Sequence, residues 1–333
     1  MLKAYIEKIA VYLPENVEEN EINRLTKKTG IYKRHIARQN EVASDLAIKA
    51  ANNLFEKGIN KNQIDFILLC TQSPDYILPT TACILQDKLG LKKDIGALDF
   101  NMGCSGYIYG LSLAKGLIES GQSKKVLLLT AETYSKYIHQ EDYAVKPLFG
   151  DAATATLISG SELKDDGIQG FIFGTDGSGF ENLIVPVGGM KKPYNTTTLE
   201  EYTDSHGNIR SNCNLYMNGS AISDFALEVV PKAVNEILAK CNMNKVDIDY
   251  YVFHQANKFM LSFLQEKCEL MEYSFWNDVK EYGNTVSNSI PLALYDLIRN
   301  NEVNKLEKIM LVGFGVGLSW AGCIVNLKKI VFD

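Results

Sequence analysis

The chain carries one pattern twice. From Asn60 it reads Asn-Lys-Asn-Gln-Ile-Asp-Phe-Ile-Leu-Leu-Cys, ending at Cys70, and from Asn244 it reads Asn-Lys-Val-Asp-Ile-Asp-Tyr-Tyr-Val-Phe-His, ending at His254. The offset is 184 residues, and at the same offset Leu46, Ala50 and Leu54 fall on Val230, Val234 and Leu238. A four-residue apolar spacing ahead of a short apolar run predicts an amphipathic helix followed by a strand, once in each half. A second match lies at an offset of 183, where Lys125-Val126-Leu127-Leu128-Leu129 pairs with Lys308-Ile309-Met310-Leu311-Val312. Such fully apolar runs suit strands buried on both faces of a sheet covered by helices. At that offset Cys104 falls on Ser287, and the helix pattern after Cys104 (Tyr107, Leu111, Ala114, Ile118) falls on the segment from Ile290 to Ile298. The repeat predicts an α/β chain of two duplicated halves, residues 1–173 and 174–333, each of ordinary domain size.

Bulk properties narrow the function. A hydrophobic content of 46% supplies material for one large core or two fused ones. A net charge of −6 argues against a general nucleic-acid binder, which would be basic. The seven cysteines are scattered and form no CxxC pair, so neither a zinc site nor a disulfide framework is expected, and a reducing, cytoplasmic setting fits. The N-terminal residues Met1 to Glu7 lack the apolar region of a signal peptide. The uncharged run Ile309 to Val325 contains four glycines and reads as two buried strands joined by a turn rather than as a membrane helix. Residues 174–216, rich in Gly, Asn, Thr, Asp and Ser, have the character of a functional lid or a disordered segment.

Three residues at predicted element ends are candidates for chemistry, and each has a plainer reading beside it. Cys104 stands between a strand-like run, Ile95 to Phe100, and a helix rich in small residues (Gly103, Gly106, Gly110, Ala114). A cysteine at a helix N-terminus feels the positive end of the helix dipole, which favours the thiolate; a buried, inert cysteine suits the same surroundings. His254 closes an apolar strand, the place where α/β folds display catalytic groups, and a structural histidine is the alternative. Asn284 lies in Tyr-Gly-Asn-Thr-Val-Ser-Asn-Ser, where a turn or cap needs no function. Gly313-Phe314-Gly315-Val316-Gly317 allows close backbone approach and offers N–H groups to an oxyanion, or is simply a tight strand turn.

Seven segments carry a family likeness. They are Lys28-Thr29-Gly30-Ile31-Tyr32-Lys33-Arg34-His35-Ile36, Leu78-Pro79-Thr80, Cys104-Ser105-Gly106-Tyr107, Phe149-Gly150-Asp151-Ala152, His254-Gln255-Ala256-Asn257, Gly283-Asn284-Thr285 and the glycine-rich run from Gly313. Together, over nearly the whole chain, they resemble the β-ketoacyl-ACP synthase III family of the thiolase superfamily. The resemblance implies a thiolase-like five-layered αβαβα fold, a homodimer, and a catalytic set of Cys104, His254 and Asn284. It implies a decarboxylative Claisen condensation in fatty-acid or specialised acyl or polyketide biosynthesis. Cys104 takes an acyl group from acyl-CoA or acyl-ACP, malonyl-ACP loses carbon dioxide, and His254 and Asn284 hold the enolate. Backbone N–H groups of Cys104, Gly315 and Val316 would hold the acyl oxyanion. No metal or redox cofactor is implied, and neither nucleic acid nor membrane is a partner; acyl carrier protein and acyl-CoA are.

The same resemblance assigns substrate binding to Arg24, Lys28, Leu78 and Asn257, and marks departures. Arg24 stands where the family often has a tryptophan against the adenine of coenzyme A. Tyr143 and Phe259 stand at arginine positions, Leu78 replaces a phenylalanine that limits the acyl pocket, and Met102-Gly103 replaces a small pair. A basic cluster remains at Arg24, Lys27, Lys28, Lys33, Arg34 and Arg38, able to meet phosphates or an acidic carrier protein, or to be a solvated face. Two other functions stay open: transfer of the acyl group to an oxygen or nitrogen nucleophile, and a non-catalytic subunit of a synthase. Retention of Asn284 favours condensation over plain transfer, and the intact Cys-His-Asn set argues against an inactive subunit.

Overall fold

The computed structural model describes residues 2–162, 167–300 and 306–328. The first half runs β1 (Lys3–Tyr12), β2 (Val17–Glu19), α1 (Arg24–Thr29), β3 (Lys33–His35), α2 (Ala43–Glu56), β4 (Phe66–Cys70), α3 (Thr81–Lys88), β5 (Gly96–Phe100), α4 (Gly106–Glu119), β6 (Lys125–Glu132) and β7 (Ala152–Ser161). The second opens with β8 (Ile168–Thr175) and passes through short strands β9 (Leu183–Ile184), β10 (Tyr202–Thr203), β11 (Ile209–Arg210) and β12 (Tyr216–Met217). It ends with α5 (Gly219–Cys241), β13 (Tyr250–Phe253), α6 (Lys258–Lys267), α7 (Val279–Tyr282), α8 (Ser289–Arg299), β14 (Ile309–Gly315) and β15 (Ser319–Val325).

Sheet topology reproduces the sequence repeat. The first sheet has the order β1-β7-β6-β4-β5, and the second, read from its far edge, β8-β15-β14-β13. The β4–β6 and β13–β14 pairs are parallel, while β6–β7, β7–β1, β14–β15 and β15–β8 are antiparallel. The matched strands are therefore β4 with β13 and β6 with β14, as the two sequence offsets require. Where β5 flanks β4, the second half has an isolated parallel bridge from Tyr251 to Phe275. Residues 173 and 174 both lie within β8, so the sheet of the second half begins at Ile168.

Alternation of side chains along the central strands sorts the core into layers. Leu68, Val126 and Leu128 of the first sheet, with Ile309 and Leu311 of β14, pack on the buried faces of α4 and α8 between the two sheets. The residues that alternate with them point the other way. Ile67, Leu69, Leu127 and Leu129 meet α2 and α3 through Leu46, Ala47, Ala50, Leu54, Ala82 and Leu85. Met310 and Val312 meet α5 and α6 through Val230, Val234, Ile237, Leu261 and Leu264. The layers thus run helix, sheet, helix, sheet, helix, the αβαβα arrangement. Small residues set the depth of α4: a Cβ on Gly110 would stand 2.5 Å from Leu128 Cδ1, and one on Gly106 would stand 2.3 Å from Cys70 Sγ.

The uncharged C-terminal run forms β14 and β15, paired from Ile309–Val325 to Gly315–Ser319 across a glycine-containing turn. Among the described residues no helix is long and apolar enough to cross a membrane.

Candidate active site

Four sequence-predicted residues meet at one cavity of about 300 Å³, whose walls include Cys104, His254, Asn284 and Gly315. Cys104 comes from the first half, in the turn ahead of α4, where Gly106 N–H donates to the Gly103 carbonyl at 2.8 Å. His254 follows β13 directly, its N–H donating to the Val312 carbonyl at 2.9 Å. Asn284 follows α7, its N–H donating to the Leu148 carbonyl at 2.8 Å while its own carbonyl accepts from Gly150 N–H at 3.0 Å. Gly315 ends β14. The segment from 174 to 216 folds against the site: Leu183 lines the cavity, and its strand β9 pairs with β12, whose Met217 lines it too.

The polar atoms are oriented. His254 Nδ1 lies 2.7 Å from Ser289 Oγ, and the ring stands edge-on to Phe314 with centroids 5.5 Å apart. Burial alone drives the imidazole down to about 3, so the ring is neutral near neutral pH. Asn284 Oδ1 accepts from Val286 N–H at 2.9 Å, which leaves the amide NH₂ as the donor end. Val286 holds φ at +56°, a left-handed conformation that a β-branched residue adopts at a cost of about 1–3 kcal/mol.

Around Cys104 burial outweighs the helix end. Burial first, then the Glu132 carboxyl, pushes the thiol up to about 12, against the pull of the Cys104 and Val316 N–H groups. Burial thus opposes the helix-end effect and favours the thiol, on the cavity that the neutral imidazole of His254 also lines. A Cβ on Gly315 would stand 3.0 Å from Cys104 Sγ, so the glycine makes room for the sulfur.

Behind the cysteine lies Glu132, fully buried at the end of β6. Its carboxyl accepts from Gln72 N–H at 3.1 and 3.2 Å, from Ser73 Oγ at 3.0 Å and from Ser287 Oγ at 2.9 Å. Burial pushes it up to about 8. Glu132 ends β6 as Gly315 ends β14, and Ser287 holds the position in the second half that Cys104 holds in the first.

Residues 98–177 match the family described as 3-Oxoacyl-[acyl-carrier-protein (ACP)] synthase III, and residues 238–327 match its C-terminal part. A β-ketoacyl-[acyl-carrier-protein] synthase III of Clostridium perfringens is 36% identical over 327 residues, covering 95% of this chain and 97% of its own. The chain belongs to the 3-oxoacyl-[acyl-carrier-protein] synthase III family. A solved 3-oxoacyl-(acyl-carrier-protein) synthase III is 46% identical, with a TM-score of 0.94 over 97% of this chain and 99% of its own. The 3-oxoacyl-(acyl-carrier protein) synthase of Burkholderia xenovorans LB400 is 35% identical, with a TM-score of 0.89 over 98% and 95%. The thiolase-like fold of synthase III enzymes is therefore this chain's fold.

The remaining residues expected at a synthase III substrate site divide. Lys28 and Asn257 line the cavity, although Asn257 also caps α6 by accepting from Met260 N–H at 2.9 Å. Arg24 is exposed and outside the cavity wall. Leu78 is 79% exposed and lines no part of the cavity within its own chain. The basic cluster shrinks: Arg34 is buried, paired with Glu18 at 2.9 Å and donating to the Phe149 carbonyl, while Lys33 and Arg38 pair with Glu19 and Glu15. Lys28 Nζ sits 4.3 Å from the ring centroid of Phe259, itself part of the cavity wall. Sequence reasoning missed Ser289 and Glu132. A carboxylate closing a mostly apolar strand, Lys125 to Glu132, was the available signal for the second.

Proposed function

We propose that this chain is an acyltransferase that condenses a Cys104-bound acyl primer with a malonyl thioester carried by acyl carrier protein. The observation that carries this reading is the Asn284 carboxamide, whose oxygen is tied to Val286 N–H so that its donor end is free for the cavity shared with Cys104 and His254. An enolate forming on the malonyl thioester needs donors besides the backbone N–H groups that hold the acyl oxyanion, and plain acyl transfer forms no enolate.

In the first step the Cys104 sulfur attacks the carbonyl of an acyl-CoA or acyl-carrier thioester. The carbon–sulfur bond of the donor breaks, and its thiol leaves with the proton that Cys104 loses, neutral His254 being able to relay it. The malonyl thioester then loses carbon dioxide. Its enolate oxygen is held by the Asn284 NH₂ and by His254 Nε2–H, the tautomer fixed when Ser289 donates to Nδ1. The α-carbon attacks the acyl-Cys104 carbonyl, whose oxyanion rests on N–H groups of Cys104 and the Gly315–Val316 turn. That attack forms the carbon–carbon bond. Collapse of the tetrahedral oxyanion breaks the bond between the acyl carbon and Cys104 sulfur, releasing a 3-oxoacyl thioester and a thiolate that a solvent proton returns to the thiol.

Assembly and partners follow from surface chemistry. Tyr76, Ile77 and Leu78 form an exposed apolar stretch that supports a homodimer, with Leu78 reaching the partner's acyl pocket. Arg24, Lys27 and Lys28 on α1, beside Phe259, support docking of an acidic carrier protein and the phosphates of coenzyme A. A catalytic free thiol suits a reducing cytoplasm.

Intact-protein mass spectrometry with a panel of acyl-CoA and acyl-carrier donors, followed by malonyl-carrier protein, tests the reading. The expected result is one acyl adduct mapped to Cys104, then carbon dioxide release and a 3-oxoacyl product. Acylation without carbon dioxide release would move the chain to transfer onto an oxygen or nitrogen nucleophile.

A further inference from the structure

We infer that Glu132 is a positioning residue for the condensation step, acting through Ser287 to hold the strained turn that presents Asn284. This rests on the condensing role of Asn284 proposed above. The turn Asn284–Asn288 contains Val286 in the left-handed region, a conformation that persists only where the surroundings over-determine it. Two side chains of β6, Thr130 and Glu132, grip it. They are two residues apart and so share one face of the strand. Thr130 Oγ1 donates to Asn288 Oδ1 at 2.6 Å, and Ser287 Oγ donates to Glu132 Oε1 at 2.9 Å. All four residues are fully buried.

Glu132 also ties this turn to the nucleophile. Its second set of bonds holds Gln72 and Ser73, and Gln72 packs against the residue before Cys104: a Cβ on Gly103 would stand 2.7 Å from Gln72 Oε1. One carboxyl therefore spans from the loop beneath Cys104 in the first half to the Asn284 turn in the second. Gln72 and Ser73 have a second anchor in the chain that follows β6, since Tyr134 and Tyr137 hydroxyls donate to Gln72 and Thr133 N–H donates to Ser73 Oγ. Val286 and Ser287 are tethered by the Asn284 carboxamide and by Glu132, with the Cys70 thiol a further, weaker hydrogen-bond partner of Ser287. Loss of the carboxyl thus falls on Asn284 before it falls on Cys104.

The test compares Ser287→Ala, Glu132→Leu and Glu132→Gln with the wild type at pH 7. Three quantities are read: the rate of Cys104 acylation, the maximal rate of carbon dioxide release from the malonyl thioester, and amide hydrogen exchange across residues 284–289. Ser287→Ala and Glu132→Leu should slow carbon dioxide release by roughly ten- to a hundred-fold, the scale of a sub-ångström misplacement. Acylation should change by less than that, and exchange at 284–289 should quicken. Glu132→Gln, which can accept from Ser287 and donate to Ser73, should restore all three. Proportional loss of acylation and carbon dioxide release, or an unchanged turn in Ser287→Ala, would overturn the inference. If the wild type releases no carbon dioxide, the condensing role fails, and the exchange arm still decides whether Glu132 holds the turn.

Discussion

Gly313 and Cys104 meet backbone to backbone: a carbon added at Gly313 would stand 2.6 Å from the Cys104 carbonyl oxygen and 2.8 Å from Ser105 Cα. The neighbours are main chain at the head of α4 and cannot swing aside. Gly315, two residues further along β14, faces a side chain instead, with Cys104 Sγ at 3.0 Å.

Gly313→Ala should lower the melting temperature, with overpacking costing about 1–3 kcal/mol. Gly315→Ala, at a φ of +159° but against a side chain rather than main chain, should lose less stability than Gly313→Ala and slow Cys104 acylation. Thermal melting and iodoacetamide labelling of both variants separate the two; equal melting temperatures would show that α4 yields where the contacts forbid it.

Asn284→Ala should abolish most carbon dioxide release and leave Cys104 acylation near normal. Loss of one oxyanion donor costs about a hundred- to a thousand-fold in rate. A variant that condenses at the wild-type rate would remove Asn284 from the mechanism.

Ser289→Ala removes the partner of His254 Nδ1. The ring stays neutral, because burial rather than Ser289 holds it down. It is then free to carry its proton on either nitrogen, and condensation should slow. Nitrogen-15 NMR of His254 should show protonated Nε2 in the wild type and a mixture in the variant. An unmixed Nδ1–H tautomer in the wild type would contradict the proposed enolate contact.

Glu132 titrates at about 8 in the fold, against 4.5 for an ordinary glutamate. Between those values the folded chain holds the extra proton, so stability from this group is complete below about 4.5 and is lost as pH rises through 8. Glu132→Gln cannot ionise. Its melting temperature, relative to wild type, should therefore climb from about pH 5 to about pH 9; a flat difference would mean that the buried carboxyl is already charged.

How much of this was legible in the chain depends on what each residue's neighbours are. The pairs β4 with β13 and β6 with β14 were readable because strands buried on both faces leave unbroken apolar runs in sequence. The counterpart of β5 was not, since around Phe275 one bridge to Tyr251 replaces a strand and leaves no run. Cys104, His254 and Asn284 could be placed at element ends, yet the protonation of Cys104 and His254 could not, because it follows from burial by residues distant in sequence. Arg34 looked like part of a charged surface; its role as a buried tie to Glu18 and Phe149 depends on contacts that local charge spacing does not encode. Glu132 could be noticed as a carboxylate closing its strand, but its role was hidden for the same reason, as its partners come from the loop after β4 and from the Asn284 turn.

The matching ends of strands β6 and β14 carry opposite fittings. A duplicated architecture offers two equivalent hollows, each between a strand end and the residue ahead of a central helix. In one, Gly315 leaves space beside a thiol; in the other, Glu132 fills it and bonds to a hydroxyl. The twin positions differ in what they leave vacant: the absence of a side chain at one makes room beside a sulfur, and the carboxyl at the other closes the same place with a hydrogen bond.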